Sequence, residues 1–242
     1  MPHRADADRL SLHARVAGLG YLVIIATGIF SEVVVRGSVI VPGDAAATAS
    51  NIAASQLLFR SGLASELVML TADVVVAFAL YVLFEGVSRG LAMLAAFLRL
   101  AHAAVVGANL LNLYLPLLLL GDAAYMSAFD AGQLEALVAM YLELHAYGYA
   151  LGLVFFGAHC LVLGTLVLRS GFVPRALGVL LTIAGIGYLV DTFGRTLLTD
   201  YAAWETLFGV VVFVPAVVAE LSFAVWLVWK GGAMGRTREQ VS

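Results

Sequence analysis

The sequence predicts an all-α polytopic membrane protein: a six-helix transmembrane bundle with a short extracytoplasmic helix after the first span. Three observations predict it. Only 12% of the 242 residues are charged, where a soluble domain carries about 25%. Six stretches stay apolar for roughly 20 residues or more, the length that crosses a hydrocarbon core. Polar turns built on Gly, Pro and Arg separate them and punctuate the helices. The length suits a single membrane domain, residues 1–242.

The first span covers about 14–35, "ARVAGLGYLVIIATGIFSEVVV". A charged N-terminus precedes it, and the run exceeds the roughly 7–15 apolar residues of a signal-peptide core, so it reads as a retained helix. The connection 36–57 contains "VPGDAAATASNIAASQ", a turn at Pro42-Gly43 followed by an Ala-rich helix capped by Asp44. The second span is about 58–84 and the third about 89–120. The fourth, about 134–168, is long enough, like the third, to tilt or project beyond the bilayer. The fifth is about 175–198 and the sixth about 206–230. "EGVSRG" and "RSGFVPR" read as tight helical hairpins.

Charge placement orients the chain. Arg4, Arg9, Arg15, Arg89, Arg169, Arg175, Lys230, Arg236 and Arg238 fall on the side of the termini, against Arg36, Arg60 and Arg195 on the other. The positive-inside rule then places both termini in the cytoplasm. The opposite side is acidic, with Asp44, Asp122, Asp130, Glu135, Asp200 and Glu205. The net charge of −3 says nothing about nucleic acid, but no basic patch is present to bind one, so the expected partners are the lipid bilayer and a small ligand or ion. Cys160 is the only cysteine, so no internal disulfide forms, and it reads as a small packing residue. Nothing here sets an oligomeric state.

The stretches "VPGDAAATA", "GLVFFGAHCLVLG", "GFVPRALGVLLTIAGIGYLVD" and "AELSFAVWLVWKG" carry a further signal. Through them the chain, from about Arg15 to Lys230, resembles a bacterial multi-pass membrane family known as domain of unknown function 4386. The resemblance implies six helices. It implies no activity and assigns no catalytic residue.

Ionisable groups inside a bilayer are costly and usually face the interior, where they are candidate functional sites. The outer half holds Glu66, Glu143, His145, Asp191 and Arg195, with Glu32 at the rim. The middle and inner half hold Asp73, Arg99, His102, Asn109, His159 and Glu220. At about 100° per residue, Glu66 and Asp73 share one face of the second span. Arg99, His102, Asn109 and Asn112 form one stripe, and Tyr188, Asp191 and Arg195 another. Glu143 and His145 point to nearly opposite sides, so at most one faces any given site. Glu32 and Arg36 read as a surface pair. Arg99 is expected to neutralise Asp73 or Glu220, because an unpaired buried charge costs far more than a paired one.

The outer group holds more acid than Arg195 balances, which points to a bound cation, shared protons or a cationic ligand. The expected ligand-binding set is Glu66, His145, Asp191, Arg195, Glu143 and Tyr188, converging in a pocket open to the outer side, as in a carrier or sensor. Glu66, His145 and Asp191 are also credible ligands for a divalent metal, which raises an intramembrane metal-dependent hydrolase as an alternative. A b-type haem between His102 and His159 is another, since His145 and His159 stand 14 apart on one face, ~21 Å along the axis. The remaining alternative is a purely structural polar network of Asp73, Arg99, His102, Asn109, His159 and Glu220. No HExxH, CxxC, GxSxG or P-loop pattern decides among these, and the sequence leaves open whether the protein is an enzyme.

Overall fold

A computed structural model describes residues 2–231. Arg236 and Arg238 lie outside the described residues, as do the side chains of Arg4 and Glu205. The described chain is all-α, without a strand. Its helices are α1 (Pro2–Ile29), α2 (Gly37–Val39), α3 (Ala45–Ala54), α4 (Gln56–Phe84), α5 (Arg89–Asn109), α6 (Leu111–Leu119), α7 (Ala131–Ser170), α8 (Arg175–Leu197) and α9 (Glu205–Lys230). A π-helical turn, Phe30–Arg36, links α1 to α2.

Six apolar rods in the described residues are long enough to cross a membrane: Asp8–Val39, Gln56–Phe84, Arg89–Leu119, Ala131–Ser170, Arg175–Leu197 and Thr206–Lys230. The protein is thus an all-α polytopic membrane protein. The third rod is α5 continued by α6, because Leu110 N–H donates to Val106 O at 3.1 Å and Tyr114 N–H to Leu110 O at 3.2 Å. The fourth rod has 40 residues, ~60 Å at 1.5 Å per residue, about twice a hydrocarbon core.

The ends of these helices follow from local chemistry. Asp44 caps α3, its Oδ1 accepting from Ala47 N–H at 2.8 Å. Asp130 and Gln133 close a reciprocal box at the start of α7: Gln133 N–H donates to Asp130 Oδ1 at 2.8 Å, and Asp130 N–H to Gln133 Oε1 at 3.0 Å. Gly43 and Gly171 adopt φ of 77° and 71°, which only glycine adopts cheaply. They turn the chain before α3 and after α7.

The chain divides into two compact units. Among the described residues the first comprises 2–23, 71–103 and 151–231. In it α7 and α8 run antiparallel with backbones nearly touching, Gly157 opposite Gly185 and Gly164 opposite Gly178. A Cβ on Gly185 would stand 2.7 Å from Gly157 O, and one on Gly178 2.9 Å from Gly164 O. Small residues permit this approach, which drives helix association where lipid removes the hydrophobic term. Cys160, fully buried, sits against Gly185 in that seam.

The second unit comprises residues 24–70 and 104–150. Its apolar core joins Val35, Ile52, Phe59, Leu113, Val138 and Leu142. The buried face of α3, at Thr48, Ala49 and Ile52, packs against α6, so the connecting helix is part of this core.

Candidate functional site

In the second unit the polar residues gather around Glu66, which is 1% exposed. Ser31 Oγ donates to Glu66 Oε1 at 2.5 Å. Arg36 Nη1 donates to the same oxygen and, at 3.1 Å, to Ser31 Oγ. Arg36 Nε donates to Glu32 Oε2 at 2.9 Å. The guanidinium, 11% exposed, therefore spans from a buried acid to Glu32, which is 68% exposed. The π-helical turn makes this geometry. On an α-helix Ser31 and Arg36, five apart, would diverge by about 140°; the i→i+5 winding of Phe30–Arg36 brings both onto Glu66.

His145, 3% exposed, belongs to the same unit. Asn109 Nδ2 lies 3.0 Å from its Nδ1 and donates at 2.8 Å to its backbone carbonyl. The charges acting on the imidazole come from Arg36, Glu66 and Glu32. Glu66 Oε2 and His145 Nε2 are both buried and have no hydrogen-bond partner among the described residues. Of the two nearby polar groups on α7, His145 is the buried one, and Glu143 is exposed.

The first unit holds a second set, centred on Arg99, which is 0% exposed. Its Nη2 lies 2.6 Å from Asp73 Oδ1, an ion pair by distance although off the line of a hydrogen bond. Its Nη1 donates to Tyr21 Oη at 2.8 Å and faces His159 Nε2 at 3.2 Å. The guanidinium carbon stacks 4.5 Å from the Tyr21 ring centre and 5.2 Å from that of Phe156. His159 Nδ1 donates to Ala95 O at 2.8 Å, and His102 Nδ1 to Gly152 O at 3.1 Å. Glu220 is held by Tyr188, whose hydroxyl donates to Oε1 at 2.6 Å. Of the two acids expected for Arg99, Asp73 makes the ion pair.

A haem iron takes a histidine through a ring nitrogen with a free lone pair. In His159 the nitrogen left after the Ala95 bond accepts from Arg99, and in His102 it faces Asp73 Oδ2 at 3.8 Å. Among the described residues no three His, Cys, Asp or Glu side chains gather closely enough to hold a metal ion.

Asp191 and Arg195 fall in the first unit, where Tyr201 bridges them. Tyr201 Oη donates to Asp191 Oδ1 at 2.5 Å and accepts from Arg195 Nη2 at 3.3 Å, and the guanidinium stacks over the ring at 4.5 Å. Burial, and then the Asp191 carboxylate that the hydroxyl bonds, push the Tyr201 phenol up to about 12.

Sequence reasoning missed Ser31, Arg36, Tyr21 and Tyr201. Arg36 read as half of a surface pair because a regular helix aims it away from Ser31, and no local signal announces the π turn. Nothing in the sequence around Tyr21 or Tyr201 sets them apart from the other tyrosines.

The model of the family described as "Domain of unknown function (DUF4386)" matches residues 16–231. A protein of Archaeoglobus fulgidus described as "Uncharacterized protein" is 32% identical over 159 residues, covering 66% of this chain and 76% of that one. Its archaeal source extends the likeness beyond the bacterial setting expected from the sequence. No solved structure matches the chain. Six membrane-length helices over the matched residues agree with the resemblance carried by the four motifs, and the chain belongs to the DUF4386 family of domains of unknown function.

Proposed function

We propose that this protein is a membrane carrier or sensor whose working site is Glu66 with His145, taking up a small ligand, proton or cation. One observation carries the reading: a nearly inaccessible carboxylate has one oxygen saturated by Ser31 and Arg36 and the other unpartnered, in a unit where a buried imidazole nitrogen is also unpartnered. Buried polar atoms are almost always satisfied, so such exceptions mark function. Glu32 and Glu66 against Arg36 leave one acid unbalanced when His145 is neutral. Arg36 links the buried acid to the exposed Glu32 and so supplies a route toward the surface. The Arg and Lys count supports a cytoplasmic membrane with both termini inside and this route opening outward.

For the first unit, both ring nitrogens of His159 are engaged, one by Ala95 O and the other by Arg99, which favours a structural polar network over haem.

The test compares wild type with Glu66→Gln in lipid nanodiscs. Infrared titration from about pH 4 to about pH 9 reads protons, and calorimetry reads sodium chloride, zinc chloride and ethylene glycol. A response to any of these that vanishes in Glu66→Gln is expected. Identical behaviour of the two proteins towards all four probes rules the site out.

A further inference from the structure

The hydrogen bonds of Asn109 decide which kind of group the Glu66–His145 site accepts, an inference that rests on the reading above. Asn109 Nδ2 lies 2.8 Å from the carbonyl oxygen of His145. A carbonyl oxygen only accepts, so the amide atom facing it is the NH2 nitrogen and the amide cannot be flipped. Its other end, Oδ1, accepts from Asn112 Nδ2 at 2.9 Å. The NH2 group also lies 3.0 Å from His145 Nδ1. That ring nitrogen must therefore present a lone pair, because a proton there would set donor against donor. The other acceptor within reach of such a proton, Asn109 O, is farther, at 3.4 Å.

A neutral imidazole carries one hydrogen, so Nε2 bears it. The unpartnered atoms are then complementary: His145 Nε2–H donates and Glu66 Oε2 accepts. A metal ion needs an imidazole lone pair, and here that lone pair is spent on Asn109. An ion between the two residues would meet a hydrogen on one side, with the positive Arg36 already on Glu66. An anion would meet the carboxylate. A group that gives one hydrogen bond and takes one satisfies both atoms.

We infer that Glu66 Oε2 and His145 Nε2–H together bind a hydroxyl group, carried by water or by a small alcohol or polyol, and that the site does not take a bare metal ion. Asn109 is the positioning residue that sets the tautomer.

Nitrogen NMR of the whole chain in lipid vesicles, with 15N-labelled histidine, tests this. His145 signals are those lost in His145→Gln. The expected spectrum has a protonated Nε2 and a bare Nδ1. A cross-peak from the Nε2 proton to water identifies water as the occupant; a shift on adding ethylene glycol identifies an alcohol. A bare Nε2, or an Nε2 proton that senses neither water nor glycol, overturns the inference. Calorimetry with zinc and sodium chloride separates the two levels. Metal binding that disappears in Glu66→Gln overturns the hydroxyl assignment and leaves the ligand site standing. Independence from Glu66 for every probe sinks the ligand site itself. Asn109→Asp is expected to move the proton to Nδ1; a folded variant that keeps the Nε2–H tautomer removes Asn109 from its role. If that variant does not fold, the wild-type spectrum decides the tautomer alone.

Discussion

Arg99 and Asp73 meet at 2.6 Å with both side chains closed off from solvent. The guanidinium lies between the Tyr21 and Phe156 rings, so the charge has no route to water. Removing one member strands the other in a medium that cannot solvate it. Arg99→Ala is expected to cost roughly 3–5 kcal/mol, and Asp73→Ala a similar amount. Arg99→Leu combined with Asp73→Leu is expected to recover much of the loss, because no uncompensated charge remains. Thermal unfolding in detergent of the singles and the double reads this, and additive losses would show that the two residues are not coupled.

The glycine seam between α7 and α8 makes a second expectation. Gly185→Ala places a methyl 2.7 Å from Gly157 O, so the helices must separate. A loss of roughly 1–3 kcal/mol follows. Gly209→Ala in α9 is the control: a Cβ there meets nothing within 4 Å, and the gain in helix propensity is worth about 0.5–1 kcal/mol. Opposite shifts in melting temperature are the expected result; equal shifts would mean that the seam is not a close contact.

Tyr201 gives a pH dependence with a definite sign. Its phenol titrates at about 12 in the folded chain, against 10.0 for an unperturbed tyrosine. Between these values the folded state keeps a proton that the unfolded state has lost, so stability falls as pH rises. The contribution of Tyr201 is complete below about 10 and gone above about 12. Ultraviolet titration should show a late tyrosinate near pH 12 that Tyr201→Phe removes, and that variant should lose the part of the alkaline destabilisation due to this residue. A Tyr201 titrating with the other tyrosines would contradict the Asp191 hydrogen bond.

The orientation rests on charge counting alone and is checked by fusion. A reporter joined after Lys230 is expected to be active in the cytoplasm, and one placed in the 121–130 connection is expected to be exported. The reverse pattern would invert the whole topology.

The six spans, their ends to within a few residues except at the N-terminal side of the first, and the α3 connection capped by Asp44 were legible in the sequence. Each depends on short-range chemistry: a run of apolar residues cannot leave lipid, and Pro, Gly and Asp act within a turn of where they stand. The choice of His145 over Glu143 for the buried side was only half legible, because helical periodicity separates two faces without saying which one is covered. What tertiary structure decided was partnership. Periodicity placed Glu66, Asp191 and Arg195 on polar stripes, but stripes carry no register between helices. The fold gives Asp191 and Arg195 to Tyr201 and gives Glu66 to Ser31 and Arg36. The last assignment depends on a change of helical winding at Phe30–Arg36, where the local sequence is an unremarkable run of β-branched and polar residues. That winding goes with the pairing of Arg36 to a buried carboxylate 30 residues away on α4, a long-range contact that no window of local sequence contains.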